Sequence, residues 1–258
     1  MSEGKILGII SLKGGVGKTS VVANVGASLA QDFGKKVLMV DANFSTPHLG
    51  LHLGLVKPEV SLHHILNEDV GASQGIYRHP LGLHFIAGSL SPPPVNPLAL
   101  KEKIDSLRSQ YDYILLDSSP ALNDEMYATI AASDEVFVVS TPDYPTLTAT
   151  LQAIDVARRK QGHIKGIIIN KVRKKRFELT KKDVESVSDI EVLGLVPDDV
   201  KVLEALASMV PVTAYSPKED VAVAFKKLTG KIIGEKYRKP RLFSKSKSVK
   251  SFSRKENL

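Results

Sequence analysis

The fold of this 258-residue chain is decided by one stretch near its start, Ser11-Leu12-Lys13-Gly14-Gly15-Val16-Gly17-Lys18-Thr19-Ser20. It lies between a short apolar run, Ile6–Ile10, which predicts a strand, and Val21–Leu29, which predicts a helix. Glycines between a strand and a helix let backbone N–H groups turn inward around phosphate oxygens, and the helix N-terminus adds partial positive charge. The pattern therefore predicts a nucleotide-binding phosphate loop rather than a strand–helix turn without a ligand.

Single residues of this loop have distinct expected roles. Lys18 is expected to neutralise the β- and γ-phosphates, and the Thr19 hydroxyl is expected to ligate Mg²⁺. One position departs from the common pattern, because Leu12 stands where a glycine is usual and a second lysine follows it. We predict that ATP with Mg²⁺ is the ligand and that its contacts come from Lys13, Gly14, Gly15, Val16, Gly17, Lys18, Thr19 and Ser20.

Two carboxylates follow predicted strands. Asp41 comes after the run Lys36–Val40, and Asp117 comes after Tyr113–Leu116. The carboxyl ends of parallel strands open onto the ligand crevice of an α/β sheet. Asp41 and Asp117 are therefore predicted to bind Mg²⁺ or its water ligands beside Thr19, although a strand-end aspartate can also cap a turn.

Short apolar runs alternate with helical stretches along the rest of the chain, which predicts right-handed crossovers and a mostly parallel sheet. We expect one doubly wound α/β domain over residues 1–234. The predicted strands are Lys5–Ser11, Lys36–Val40, Leu83–Ala87, Tyr113–Leu116, Val136–Ser140, Lys165–Asn170 and Val192–Val196. The predicted helices are Thr19–Phe33, Ser61–Asn67, Pro97–Ser109, Asp124–Ala132, Thr146–Gln161, Thr180–Val187, Asp199–Ser208 and Lys218–Ile233.

Composition narrows the class of protein further. The chain contains no cysteine, which excludes disulfides, thiolate zinc sites and iron–sulfur clusters. No apolar run approaches the ~20 residues of a membrane span, and the first residues do not resemble a signal peptide. We therefore expect a cytoplasmic protein, or one attached peripherally to the inner face of the cell membrane.

The net charge of +7 has one source. Residues 235–258 hold nine basic and two acidic residues, and nine minus two accounts for the whole excess. We predict a basic tail over this segment that binds an anionic membrane or DNA, or serves only to keep the chain soluble. A second basic cluster, Arg173–Arg176 with Lys181 and Lys182, is either a solvated loop or a contact for a partner or polyanion.

The run Lys-Gly-Gly-Val-Gly-Lys-Thr-Ser resembles the deviant Walker A ATPases of the MinD/ParA family, and the resemblance extends over roughly residues 4–234. It is strongest to the archaeal MinD-like group. It implies a P-loop NTPase fold and an ATP hydrolase that forms a homodimer on binding ATP. Such dimers position cell-division, motility or partitioning machinery through a protein partner. In the family the early lysine reaches the partner's nucleotide, and Lys13 is the candidate for that role.

One departure from the family leaves two functions open. The family usually has Asp-x-Asp after the second strand, whereas this chain has Asp41-Ala42-Asn43. An amide can orient water but cannot accept its proton as a carboxylate does. The predicted catalytic residues are Lys13, Lys18, Asp41 and Asn43. The chain is then either a slow cycling ATPase or an ATP-dependent binding scaffold with negligible hydrolysis.

The base is expected to be adenine. Guanine-binding relatives use Asn-Lys-x-Asp, whereas this chain reads Asn170-Lys171-Val172-Arg173, so an arginine replaces the base-reading aspartate. The resemblance implies that Asn170 contacts adenine and that Pro197 and Asp198 lie beside it. Asn170 could instead be a plain turn residue at the end of a strand.

Overall fold

The computed structural model describes residues 3–67, 70–91 and 93–238. One sheet of eight strands runs through it in the order β3-β4-β2-β5-β1-β6-β7-β8. The strands are β1 (Lys5–Ile10), β2 (Val37–Ala42), β3 (Tyr77–Arg78), β4 (His84–Ile86), β5 (Tyr113–Ser118), β6 (Glu135–Ser140), β7 (Ile164–Val172) and β8 (Val192–Pro197). All pairings are parallel except β3 with β4, which confirms the predicted mostly parallel sheet.

Helices cover both faces of the sheet. They are α1 (Lys18–Gln31), α2 (Leu49–His52), α3 (Leu62–Asn67), α4 (Leu100–Asp105), α5 (Asp124–Ala132), α6 (Tyr144–Arg159), α7 (Lys181–Ser188), α8 (Val200–Ala207), α9 (Val212–Tyr215) and α10 (Asp220–Ile233). Helices α1 and α10 pack on one face through a core that includes Leu7, Met39 and Phe225. The opposite face carries α3 to α7 over two further clusters. Strands buried on both faces explain the continuous apolar runs of the sequence.

The register of the sheet places the site. Asp41 of β2 pairs with Asp117 of β5, and Ile9 of β1 pairs with the same Asp117. The phosphate loop therefore leaves β1 directly beside the two carboxylates. This is the carboxyl edge of the sheet, where doubly wound folds bind their ligands.

The structure corrects several predicted boundaries. The single helix expected over Pro97–Ser109 is broken into a 3₁₀ turn, α4 and a second 3₁₀ turn, and the Ser106 hydroxyl donates back to the Lys103 carbonyl at 2.6 Å where α4 ends. Helix α6 begins at Tyr144 rather than Thr146, because Asp143 caps it. The short elements α9 and β3 were not predicted. Thr180 and Asp183 form a capping box at the start of α7.

The chain continues to pack on the domain beyond the predicted boundary at Gly234. The backbone N–H of Glu235 donates to the Gly230 carbonyl at 2.8 Å, and the Glu235 carboxylate pairs with Lys35 at 2.6 Å. The predicted tail from residue 239 onward lies outside the described residues. Within the described ranges, no helix is both long enough and apolar enough to span a bilayer.

Candidate functional site

The phosphate loop has the backbone that its glycines predict. Gly15 has φ of 76° and Gly17 has φ of 93°, a left-handed conformation that L side chains rarely adopt. Space around Gly14 and Gly15 is open, so an added Cβ would meet no neighbour there. At Gly17 an added Cβ would lie 2.3 Å from Nδ2 of Asn170. Gly17 is therefore required for both conformation and space.

The end of β7 supports the loop from behind. Asn170 is buried, and its Nδ2 donates to the Val16 carbonyl at 2.8 Å. Lys171 donates from Nζ to the Gly15 carbonyl at 2.7 Å. Both contacts engage carbonyl oxygens of the loop rather than its N–H groups. Nδ2 of Asn170 uses one of its two hydrogens on the Val16 carbonyl, so Oδ1 remains available, and an acceptor there suits the exocyclic amino group of adenine.

Lys18 and Thr19 begin α1 at the floor of the site. Lys18 is 7% exposed, and it approaches Asp117 without an ion pair. Burial lowers the pKa of the Lys18 ammonium, and the Asp117 carboxylate acts in the opposite direction. A buried cation at a helix N-terminus strongly favours an anionic ligand, which is the role expected of this lysine.

The two predicted carboxylates do meet. Asp41 is fully buried, and its Oδ2 accepts from the Leu49 backbone N–H at 2.8 Å, while its Oδ1 has no hydrogen-bond partner. Both oxygens of Asp117 are buried and without a partner. Burial, and then the charge of Asp117, raise the pKa of Asp41 well above its usual range. Burial raises the pKa of Asp117 to about 6, while the nearby Thr19 and Lys18 act to lower it.

These orphaned oxygens fit a hard divalent cation. A pair of buried carboxylates without donors is unfavourable on its own, whereas Mg²⁺ and its water ligands supply positive charge and donors. Asp41, Asp117 and Thr19 therefore form a set of oxygen ligands that suits Mg²⁺ beside a nucleotide. The predicted cofactors, ATP and Mg²⁺, match this chemistry.

Asn43 occupies the loop between β2 and α2, and its amide is engaged within that loop. Its Nδ2 donates to the Thr46 carbonyl, and its Oδ1 accepts from the Thr46 hydroxyl at 3.2 Å. In this conformation the amide closes its own turn. The catalytic role of Asn43 stays a prediction.

Two residues that the sequence analysis did not single out hold the same loop. Glu125, in the first turn of α5, accepts from the Phe44 backbone N–H at 3.1 Å and from the Ser45 hydroxyl. The Nδ1 of His63 accepts from the Ser89 backbone N–H at 3.1 Å, so its Nε2 carries the proton that reaches the Phe44 carbonyl at 3.0 Å. Burial lowers the pKa of His63, consistent with this neutral form. A short acidic first turn was the only available signal for Glu125.

The side chain of Lys13 lies apart from that of Lys18. Its Nζ donates to the Thr146 hydroxyl at 2.7 Å and lies 3.4 Å from the Asp143 carboxylate, on the outer side of the loop. Its side chain remains 43% exposed. Asp143 also accepts from the Thr146 backbone N–H at 2.9 Å as the cap of α6. The two lysines of the loop are thus separated: Lys18 is buried near Asp117, and Lys13 is half-exposed beside the start of α6.

The residues expected near the base lie at the ends of two neighbouring strands, β7 and β8. The Asp198 backbone N–H donates to the Val172 carbonyl at 3.0 Å, and Arg173 pairs with the Asp198 carboxylate at 2.6 Å. Pro197 ends β8 beside this pair. Asp198 is therefore engaged by Arg173, and its expected base contact stays a prediction.

Comparison with known proteins identifies the class. Residues 7–212 match the model of the CobQ/CobB/MinD/ParA nucleotide-binding domain. The match covers most of the chain and includes the phosphate loop, both carboxylates and Asn170. The chain therefore belongs to this family of nucleotide-binding proteins, as the loop sequence led us to expect.

The proteins similar to this chain include an archaeal ATP-binding protein and two structures of MinD. An ATP-binding protein of Methanocaldococcus jannaschii is 30% identical, over 90% of this chain and 88% of that protein. The crystal structure of the cell division ATPase MinD of Pyrococcus furiosus superimposes with a TM-score of 0.84, at 29% identity, covering 90% of this chain and 99% of that one. The septum site-determining protein MinD of Pyrococcus horikoshii, complexed with Mg-ADP, gives a TM-score of 0.82 at 29% identity, covering 88% and 95%.

Proposed function

We propose that this protein is an ATP-dependent molecular switch: it binds ATP with Mg²⁺, closes into a homodimer and presents a composite surface to a partner. Hydrolysis of ATP to ADP and phosphate then returns it to the monomer. The machinery that it positions belongs to cell division, motility or partitioning, as the resemblance to MinD suggests.

One observation carries this proposal, namely the separation of the two loop lysines. Lys18 is buried near Asp117, where we expect it to bind phosphate within its own subunit. Lys13 is half-exposed and held on the outer side of the loop by Asp143 and Thr146. A second cation so placed can reach phosphates of a facing subunit, where charge develops during phosphoryl transfer.

The experiment measures dimerisation and turnover together. We expect sizing chromatography with light scattering to give a monomer with Mg-ADP and a dimer with Mg-ATP, with slow phosphate release in parallel. Lys13→Gln should abolish the dimer while ATP still binds, because Lys18 remains. The matched control, Lys57→Gln, removes an exposed lysine on a remote loop and should change nothing. The proposal would be refuted if the protein stayed monomeric in Mg-ATP. It would also be refuted if the Lys13→Gln variant formed the dimer as readily as the wild type.

A second function is favoured by the placement of Asn43. Its amide is engaged by Thr46, and no carboxylate stands at its position. The protein would then be an ATP-dependent binding scaffold with negligible hydrolysis. Dimers in Mg-ATP without phosphate release above background would favour this alternative over the cycling ATPase.

The basic tail, residues 235–258, bears on where the dimer is located in the cell. We propose that its cations attach the dimer to an anionic membrane surface, with DNA as the alternative polyanion. Cosedimentation of the full chain with anionic vesicles, compared with a form ending at Arg238, tests this attachment. Equal binding by both forms would exclude the tail as the anchor.

A further inference from the structure

Two loops leave the sheet next to the two buried carboxylates of the site. The first loop, residues 43–48, follows the end of β2 and leads into α2, and the second loop, residues 119–123, follows the end of β5 and leads into α5. Asp41 pairs with Asp117 in the register of these two strands, so both loops start at the same point of the carboxyl edge. A cation held by the two carboxylates would therefore lie at the start of both loops.

One side chain joins the first loop to the helix that follows the second. Glu125, in the first turn of α5, accepts from the backbone N–H of Phe44 at 3.1 Å and from that of Ser45 at 3.4 Å, and also from the Ser45 hydroxyl. Within the described ranges, no other hydrogen bond connects residues 44–48 with residues 119–125. The polar contact between the two segments therefore runs through this carboxylate.

The contact of Glu125 fixes both the position and the orientation of the first loop. Glu125 is buried, and a buried carboxylate is tolerated when hydrogen-bond donors surround it. Its donors come from two successive residues of one loop, and bonds to a charged acceptor are stronger than neutral ones. The ring of Phe44 is buried in the same core cluster as Ala128 of α5, so packing and hydrogen bonding join the same two elements.

The second loop is tied to α5 by the cap of that helix. Asn123 caps α5 because its Oδ1 accepts from the Met126 backbone N–H at 3.3 Å, and the same oxygen accepts from the Ser119 hydroxyl at 3.1 Å. Ser119 is buried and lies two residues after Asp117. A displacement that begins at Asp117 therefore has a hydrogen-bonded route to the helix turn of Glu125.

We infer that Glu125 is a positioning residue that couples the two loops, so that a magnesium–nucleotide complex bound at Asp41 and Asp117 moves them as one unit. The inference rests on nucleotide binding in the proposed function and does not involve dimerisation. The competing explanation is a static support, since His63 of α3 also holds the Phe44 carbonyl, at 3.0 Å. The two roles differ measurably, because a static support affects stability but not the relative movement of the loops.

The test places one tryptophan in each loop, since the chain has none. His48→Trp lies at an exposed position of the first loop, and Leu122→Trp replaces a side chain that is 55% exposed in the second. Each full-length variant is mixed with Mg-ADP in a stopped-flow fluorimeter, so that neither hydrolysis nor the proposed ATP-dependent dimer contributes. We expect the fluorescence of the two probes to change with the same rate constant.

Neutral variants of the first turn of α5 provide the comparison. Glu125→Gln keeps the size of the side chain but offers the loop one acceptor oxygen instead of two. It should separate the rate constants of the two probes by about fivefold or more. Asp124→Asn, the matched control, removes a carboxylate from the same helix turn at an exposed position and should leave the two rate constants equal.

A second pair of variants keeps the test decisive if Glu125→Gln does not fold. Ser45→Ala removes only the hydroxyl donor, from an exposed loop position, and should separate the two rate constants in the same direction but to a smaller extent. Ser73→Ala removes a hydroxyl from an exposed position outside both loops and should leave the rate constants equal.

Four results would overturn the inference. They are a lack of response at either probe, unequal rate constants while Glu125 and Ser45 are present, equal rate constants in both Glu125→Gln and Ser45→Ala, and a separation in Asp124→Asn as large as that in Glu125→Gln. A lower urea midpoint in Glu125→Gln without separated rate constants would identify the static support. Calorimetry with Mg-ADP distinguishes the failures: binding without a response overturns the coupling alone, whereas the absence of binding overturns the proposed function as well.

Discussion

At the scale of single residues, Asn43 decides between the two candidate functions. Asn43→Asp introduces a proton acceptor where the family usually has one, and it removes the donor that reaches the Thr46 carbonyl. The carboxylate would be repelled by that carbonyl and released toward the site. We expect steady-state phosphate release to rise severalfold in the variant.

Asn43→Ala is the control for this experiment, since it frees the loop without supplying a carboxylate. Turnover in the alanine variant should stay at or below that of the wild type. An equal gain in both variants would show that loop release, rather than proton acceptance, limits turnover. An unchanged or lower rate in Asn43→Asp would count against the hypothesis that Asn43 slows hydrolysis.

Asp117 gives a second prediction at this scale. Its two oxygens are buried without a partner beside Asp41, so in the free protein the carboxylate opposes folding at neutral pH. Asp117→Asn should therefore raise the free energy of unfolding without nucleotide by about 1–2 kcal/mol. The same change should reduce the rise in Tm that Mg-ATP produces, because a magnesium partner is lost.

The control for Asp117 is an exposed aspartate in a surface ion pair. Asp155→Asn breaks its contact with Arg159 on α6 and should change stability by less than about 0.5 kcal/mol. Urea unfolding of both variants, with and without Mg-ATP, provides the comparison. A loss of stability in nucleotide-free Asp117→Asn would mean that the carboxylate is already neutralised inside the free protein.

At the scale of secondary-structure elements, helix α6 holds Lys13 through its capping residue. Asp143→Asn keeps the side-chain oxygen that accepts from the Thr146 backbone N–H, and asparagine is as good an N-cap as aspartate. The charge that attracts Lys13 is lost. If Lys13 must leave Asp143 to reach a second subunit, the variant should shift the monomer–dimer equilibrium in Mg-ATP toward the dimer.

Stability separates this effect from damage to the helix. Asp143→Asn should stay within about 0.5 kcal/mol of the wild type, because the ion pair is largely exposed. Asp143→Ala removes the cap as well and should cost about 1 kcal/mol. Analytical ultracentrifugation that finds fewer dimers in Asp143→Asn would instead indicate that Asp143 contributes to the interface.

Elements also show what the sequence could predict and what it could not. Asp41 and Asp117 were predictable because each follows an apolar run, and parallel strands bring their carboxyl ends to one edge. Glu125 and His63 were not, since their partners, Phe44 and Ser89, come from loops distant in the chain. Asp143 carried a usable signal: an aspartate two residues before Pro145 is a helix start.

At the scale of the whole molecule, the described chain continues to contact the domain beyond Gly234, where the charge pattern places the end of the domain. After Gly234, which ends α10 with φ of 72°, the chain turns back on α1 and α10. The ring of Tyr237 lies 6.3 Å from that of Phe33, and Lys226 lies 5.8 Å from the Tyr237 ring while pairing with Asp32 at 3.1 Å. These contacts join the ends of two helices on one face of the sheet.

A form ending at Gly234 should therefore be less stable than one ending at Arg238. The shorter form loses the Glu235–Lys35 pair, the Glu235 N–H bond to Gly230 and the cover that Tyr237 gives to Lys226, which together should cost about 1–2 kcal/mol. Urea midpoints measure the difference, and Tyr237→Ala in the full chain separates the ring from the backbone contacts. Equal midpoints for the two truncated forms would place the end of the domain at Gly234, because residues 235–238 would then add nothing to its stability.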